Sequence, residues 1–363
     1  MALAAGGSLA EAVARDFADA GGVKLVPMDG LTRGRLPAAE VGPIEPGSPL
    51  VLPLLTGDFN LGVVGTCTTV IDDRVFGFGH PFLGEGESRI PIASGVVHAV
   101  IPLSEISFKL GSAGPVVGTM ASDTIAGVAG QLDVMPSMID LTVSLTRPTD
   151  DGPAEKKSNF KIARHPVFAS LVTQLALFEV LGADGEGAGD DRGTFDWSAT
   201  VHLEDGRSFA ISGISQTVLA ADATFELSAL LSLLSQNPFE GVRIDNIDFT
   251  ATFNDGEEDR QWAVESAALR RQRFLPGETV EVDVELRPFR GEVMRTTIAM
   301  PLPSNVTPGQ YALQIVDHRT AAASATPVPQ QLTGLDQYAQ LIERQAEFPA
   351  DRLYLQMTGL SQT

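Results

Sequence analysis

Period-two alternation of apolar and polar residues dominates this chain, which predicts half-buried strands more often than helices. It is strictest in Thr279-Val280-Glu281-Val282-Asp283-Val284-Glu285-Leu286, where three valines and a leucine share one face and three carboxylates the other. Similar alternation marks Phe195 to Val201 and Asp248 to Phe253, and β-branched runs mark Val63 to Ile71. Asp72-Asp73 predicts a hairpin turn before Val75-Phe76-Gly77-Phe78, and Thr149 to Pro153 predicts another between Ile139–Leu145 and Asn159–Ala163. Helical spacing is confined to four places. Ser8 and Glu11 have capping-box spacing before apolar positions that run to Phe17, and Pro166 can open a helix through Phe168, Leu171, Val172, Leu175 and Phe178. Phe225 to Leu234 reads as a third helix. Thr333 and Asp336 would cap a fourth before Tyr338, Leu341 and Ile342.

Punctuation divides the chain into four parts. Residues 1–40 read as an N-terminal helix and connector. From Val41 a Pro-Gly-rich texture opens a β domain extending to 182, and the polar, acidic, glycine-dense stretch Asp184 to Asp191 marks its end. Residues 194–320 then read as an antiparallel β-sandwich, and 321–363 as a connector and helix. Leu353-Tyr354-Leu355 is an apolar segment that suggests continuation past Thr363.

Composition narrows the choices. With 363 residues, 44% hydrophobic and 20% charged, the chain has room for two or three packed domains and is not a disordered polymer. Its 36 glycines and 23 prolines favour a turn-rich β protein over a helix bundle. A net charge of −21 has the wrong sign for gripping nucleic acid or an anionic membrane. The one basic run, Arg270-Arg271-Gln272-Arg273, is expected to pair with surface carboxylates instead. No apolar run is long enough to span a bilayer, and the N-terminus lacks the basic and apolar regions of a signal peptide. A single cysteine, Cys67, excludes an internal disulfide and any metal site built on two thiolates. Carboxylates at 184–191 and 254–259 lack EF-hand spacing and read as solvated loops, so no metal and no cofactor is expected.

Five histidines could carry chemistry: His80, His98, His165, His202 and His318. His80 stands out because Gly77-Phe78-Gly79-His80-Pro81 mounts an imidazole past a glycine-rich strand end with a proline at the exit, a setting suited to a general base. Ser122-Asp123-Thr124, Ser94-Gly95 and Ser112-Ala113-Gly114 offer hydroxyls among small residues, and they also read as ordinary turn residues. Asp123 gains interest only if it lies beside His80.

From about Glu45 to Pro166 the chain resembles the SpoIVB-type serine peptidases. Gly65-Thr66-Cys67-Thr68 resembles the family's opening Gly-Thr-x-Thr strand, Phe78-Gly79-His80 its Gly-His catalytic element, and Gly127-Val128-Ala129-Gly130-Gln131-Leu132 its Gly-x-x-Gly-x-Leu strand. The resemblance implies a mainly β fold: a trypsin-like β-barrel-type domain, followed here by the antiparallel β-sandwich domain and accompanied by a few short helices. It also implies an extracytoplasmic location and His80 as catalytic base. The remaining triad departs from the pattern. In Ala163-Arg164-His165-Pro166, His165 occupies the place of the family's orienting aspartate, and Phe178-Glu179-Val180-Leu181-Gly182 stands where the nucleophile turn should follow. A ring cannot stabilise an imidazolium as a carboxylate does. Two readings follow. One is a catalytically incomplete module that binds a peptide or protein partner, with no nucleic acid and no membrane insertion; a purely structural piece of a larger protein is its variant. The alternative is an active serine endopeptidase whose nucleophile comes from outside this chain.

Overall fold

The computed structural model describes residues 2–3, 26–27, 41–102, 108–182, 193–216, 221–254, 262–288, 291–325, 333–345, 347–349 and 351–359. The expected helix at Ser8 to Phe17 and the acidic stretches at 184–191 and 255–259 lie outside the described residues. Among the described residues the protein is mainly β, with 52% strand and 17% helix.

A closed six-stranded barrel is built first. Strands β1 (Pro49–Gly57), β2 (Leu61–Ile71) and β3 (Arg74–Gly77) form a meander, and Asp72 takes the left-handed turn position at φ 54°. A two-residue strand β4 (Gly86–Glu87) follows, then β5 (Pro91–Ile101), the long β6 (Phe108–Thr124) and β7 (Gly127–Leu132). Pairing runs β1-β2-β3-β7-β6-β5 and returns to β1 where Val51 faces Ala93. Bulges after Ile92, Ala93 and Val97 in the β5–β6 ladder bend these strands around the barrel. Leu50, Leu52, Ile92, Met120 and Val75 are fully buried in the core.

The sheet does not stop there. Strand β9 (Ala154–Ala163) pairs with β1 through Ile162 and Leu55, and β8 (Met138–Arg147) pairs with β9 as the expected hairpin. Helix α1 (Phe168–Gly182) follows, then β10 (Thr194–Leu203), β11 (Ser208–Gln216), helix α2 (Ala221–Gln236) and β12 (Ile244–Phe253). β12 lies antiparallel to β10 and parallel to β8, with Leu141 opposite Ile247. Residues 194–253 therefore extend the sheet that contains the barrel. This corrects the boundary expected between 182 and 194: the glycine-rich stretch separates elements in sequence, but their strands are hydrogen-bonded neighbours and share one core. Alternation in a single strand identifies its buried face, not the strand it will pair with.

Both helices cover the same side. Phe195, Trp197, Ala199 and Val201 of β10 alternate inward beneath them, while Ser198 and Thr250 meet on the other face at 2.8 Å. Phe168, Val172, Ala176 and Leu177 bury α1 on several sides because it is held between the sheet and α2, with Phe178 edge-on to Phe225.

The sandwich is real but begins later. Strands β13 (Trp262–Leu269), β14 (Thr279–Pro288) and β15 (Met294–Pro301) form a three-stranded sheet. It packs on β16 (Tyr311–Val316) and β17 (Tyr354–Gly359). As the alternation predicts, Val280, Val282 and Val284 are buried, against Ile298, Leu313, Ile315 and Leu355. Of the apolar segment at 353–355, Tyr354 and Leu355 pair with Val316 and Ile315 in this sheet. On the outer face Arg270 bonds both Asp283 and Glu281, as expected for a basic run on an acidic chain, and this holds the Asp283 carboxyl below its usual range. Helix α3 (His318–Ala325) lies where an alanine-rich connector was expected, and α4 (Leu335–Gln345) follows. The cap of α4 differs in detail: the Thr333 amide donates to Gln337 Oε1, not to Asp336.

Val282→Asp would bury an unpaired carboxylate in the sandwich and is expected to cost several kcal/mol there. Hydrogen exchange should show lost protection across β13 to β17, with β1, β8 and β9 still protected. Equal loss of protection in both regions would mean that the two cores unfold as one.

Candidate functional site around His80

The three glycine-rich elements that carried the family resemblance meet at one end of the barrel. Gly77 pairs with Cys67 and Val128, joining β2, β3 and β7. The Phe78 ring lies against Gly65, where a Cβ would stand 2.2 Å from it. Gly127 has φ +134°, and a Cβ there would come within 2.6 Å of the Gly77 carbonyl oxygen. These glycines are therefore demanded by close backbone approach. They fix the start of the loop that carries His80.

His80 is exposed, and the chain reaches it through left-handed Phe78 (φ 71°) and Gly79 (φ 73°). Its Nδ1 lies 2.8 Å from the Pro81 carbonyl oxygen. That oxygen can only accept, so Nδ1 carries a proton and donates it to this bond. The carbonyl fixes the tautomer but adds no negative charge. Among the described residues, no carboxylate and no hydroxyl bonds the ring.

Asp123 is only 1% exposed, and its position explains why it does not serve His80. Oδ1 accepts from the Phe82 amide at 2.8 Å, and Oδ2 accepts from Leu83 at 2.6 Å and Gly84 at 2.7 Å. Three amides from the loop after His80 converge on one carboxylate, an arrangement that holds loop to barrel. Asp123 thus anchors the His80 loop without orienting the imidazole.

His165 is also committed elsewhere. Its Nδ1 accepts from the Val167 and Phe168 amides, each at 3.2 Å, so the ring caps the N-terminus of α1. With Nδ1 an acceptor, Nε2 carries the proton and donates to Glu85 at 2.8 Å. The ring also stacks on Phe168, with centroids 4.7 Å apart. His165 stands in sequence where an orienting aspartate was sought, but its two nitrogens tie α1 to the far end of the same loop, and neither bonds His80.

The other candidate hydroxyls are similarly placed. Ser94 is buried in β5, Ser122 lies in the β4–β6 ladder, and the Thr124 hydroxyl donates to the Gly127 carbonyl within a turn. The structure does join one serine to a histidine that sequence reasoning left apart. His98, at a bulge in β5, has Nε2 2.7 Å from Ser112 Oγ on β6. This exposed cross-strand pair has no carboxylate on His98 among the described residues. The signal in the sequence was weak, because a bulge shifts the register that would have paired them.

A cleft of about 970 Å³ opens beside Glu85 and His165, between the barrel and α1. Arg89, Arg164 and Arg243 line it with Glu85 and Glu87, and His80 is not part of its wall. Arg164 contacts Glu204 at 3.0 Å, and burial lowers its pKa from the ordinary value. Cys67 is buried, which pushes its thiol pKa up and keeps it unreactive. Among the described residues no three His, Cys, Asp or Glu side chains cluster to hold a metal, and no helix is long and apolar enough to cross a membrane.

No family model matches the chain. Nor does any curated protein. Among solved structures, staphylococcal superantigen-like protein 4 is similar over 58% of this chain and 93% of its own, at 10% identity and a TM-score of 0.20. A likeness that slight carries no argument about the site.

His165→Ala should leave two helix amides and Glu85 without their partner, at a cost of about 2–4 kcal/mol. His165→Asn, which can still cap the helix, should recover much of it. Thermal denaturation of the two variants checks the assignment: equal losses would show that capping is not what His165 contributes.

Proposed function

We propose that this chain is a catalytically incomplete SpoIVB peptidase-like module that binds a peptide or protein partner outside the cytoplasm. One observation carries the reading. Asp123 is filled by three amides and His165 by a helix cap and Glu85, so His80 has neither an orienting carboxylate nor a hydroxyl to activate. The glycine-rich elements then act as scaffold: they close the barrel end and present a fixed loop.

For the partner, edge strand β13 offers the best surface. Every residue from Trp262 to Leu269 is exposed, and only one side of the strand is paired. Trp262, Val264 and Leu269 face the same way as the buried valines of β14 yet stay 47%, 41% and 43% exposed, because a two-stranded sheet does not cover all of a three-stranded one. An extended peptide can add to such an edge through main-chain bonds while apolar side chains cover the strip.

The purified chain is expected to hydrolyse no peptide and to take no label from a fluorophosphonate probe. Stoichiometric labelling of one serine, abolished by His80→Ala, would overturn the incomplete-site reading in favour of an active endopeptidase. Peptides selected for binding by display are expected to lose at least tenfold in affinity for Trp262→Lys, a change at an exposed position that should leave the melting temperature unchanged. Undiminished binding would remove β13 as the docking edge.

A further inference from the structure

A second cavity, remote from His80 and of about 950 Å³, lies between strand β11, helix α2 and the C-terminal helices. Its floor is Trp197, Ile211 and Gly213, and Leu230, Leu233 and Leu341 stand in its walls. Trp197 is 4% exposed and stacks on Phe249, with ring centroids 6.1 Å apart and planes 10° apart. Its indole nitrogen Nε1 is buried and has no hydrogen-bond acceptor among the described residues. A buried donor left without a partner costs free energy on the order of 1–3 kcal/mol, so its retention in a cavity wall points to an acceptor that the chain does not itself supply.

Gly213 lies beside that edge of the ring. It sits directly opposite Trp197 in the β10–β11 ladder, and a Cβ there would stand 3.0–3.1 Å from indole atoms Cζ2, Cε2 and Nε1. Of the charged groups that line the cavity, Asp196 accepts from Asn254 Nδ2 at 3.2 Å and Asp351 lies 3.7 Å from Arg352. Arg319 is paired with Glu226, and burial lowers the pKa of His318 from its ordinary value. An anionic ligand would meet three carboxylates here, Asp196, Glu226 and Asp351, and an arginine that is already paired.

We infer that this cavity binds an uncharged, largely apolar molecule carrying one carbonyl oxygen, which accepts a hydrogen bond from Trp197 Nε1. A volume of this size suits a ligand of two or three fused or linked rings, or an equivalent aliphatic body. The site is independent of the His80 loop and of strand β13.

The test uses the full chain and 6-propionyl-2-(dimethylamino)naphthalene, a neutral ketone whose emission shifts to the blue when it leaves water. One-to-one saturable binding is expected, and it should be abolished by Ala229→Trp, which fills the cavity from an exposed lining position without changing the melting temperature. Trp197→Phe keeps an aromatic ring but removes the donor, and is expected to weaken the ketone about tenfold while leaving 2-(dimethylamino)naphthalene, the same body without the carbonyl, unaffected. Gly213→Ala places a methyl group over the indole edge and should also weaken the ketone selectively, which decides the matter if Trp197→Phe fails to fold. Absence of saturable binding, indifference to Ala229→Trp, or equal effects of Trp197→Phe and Gly213→Ala on both probes would overturn the assignment.

Discussion

Strand β1 is hydrogen-bonded to β2, β5 and β9, and from Leu50 to Thr56 it is buried on both faces. Its contact with β5 through Val51 and Ala93 closes the barrel, and its contact with β9 carries the sheet onward to β8, β12, β10 and β11. A strand paired in this way can tolerate little polarity, which accounts for the unbroken run Leu50-Val51-Leu52-Pro53-Leu54-Leu55. Pro53, which cannot donate to a ladder, falls where the β1–β2 register shifts. Without this strand the barrel would have open edges, and the helical half would have no sheet to cover.

The loop from Phe78 to Glu87 is fixed from three directions by groups of different chemistry. Glycines at 65, 77 and 127 let backbones and the Phe78 ring approach closely at its start, Asp123 gathers three amides at its middle, and Glu85 reaches the His165 ring near its end. Charge-assisted bonds to a buried carboxylate are among the stronger polar contacts in a protein, so the loop is rigid for reasons that do not involve catalysis. The same residue types that would build a triad build a clamp here, and the difference lies wholly in which atoms they face.

The mismatch between a three-stranded and a two-stranded sheet shapes the sandwich. Val280, Val282 and Val284 are covered, while the same face of β13 stays open to solvent. Its outer face is laced by Arg270, Arg287 and Arg295 with neighbouring carboxylates, which neutralises part of a strongly acidic surface without giving it a basic patch. Helices α3 and α4 join this unit to the main sheet, with Arg319 of α3 paired to Glu226 of α2 and Leu335 of α4 buried in the larger core. The apolar cavity over Trp197 arises where those helices meet the edge of the sheet.

Local pattern alone determined the strands around Val63, Phe195, Phe249 and Val282, the turns at Asp72 and Thr149, the helices after Pro166 and around Phe225 and Leu335, and the acidic, single-cysteine character of the chain. These features depend on side-chain period and on turn chemistry, which are properties of adjacent residues. Tertiary structure decided which strands became neighbours: β12 lies beside β8, about a hundred residues away, so a glycine-rich stretch that looked like a domain boundary is spanned by one sheet. It also decided what Asp123, His165, His98 and Trp197 do. A carboxylate, an imidazole or an indole has the same donors and acceptors wherever it stands, and its role is set by the partners that distant parts of the chain bring within about 3 Å.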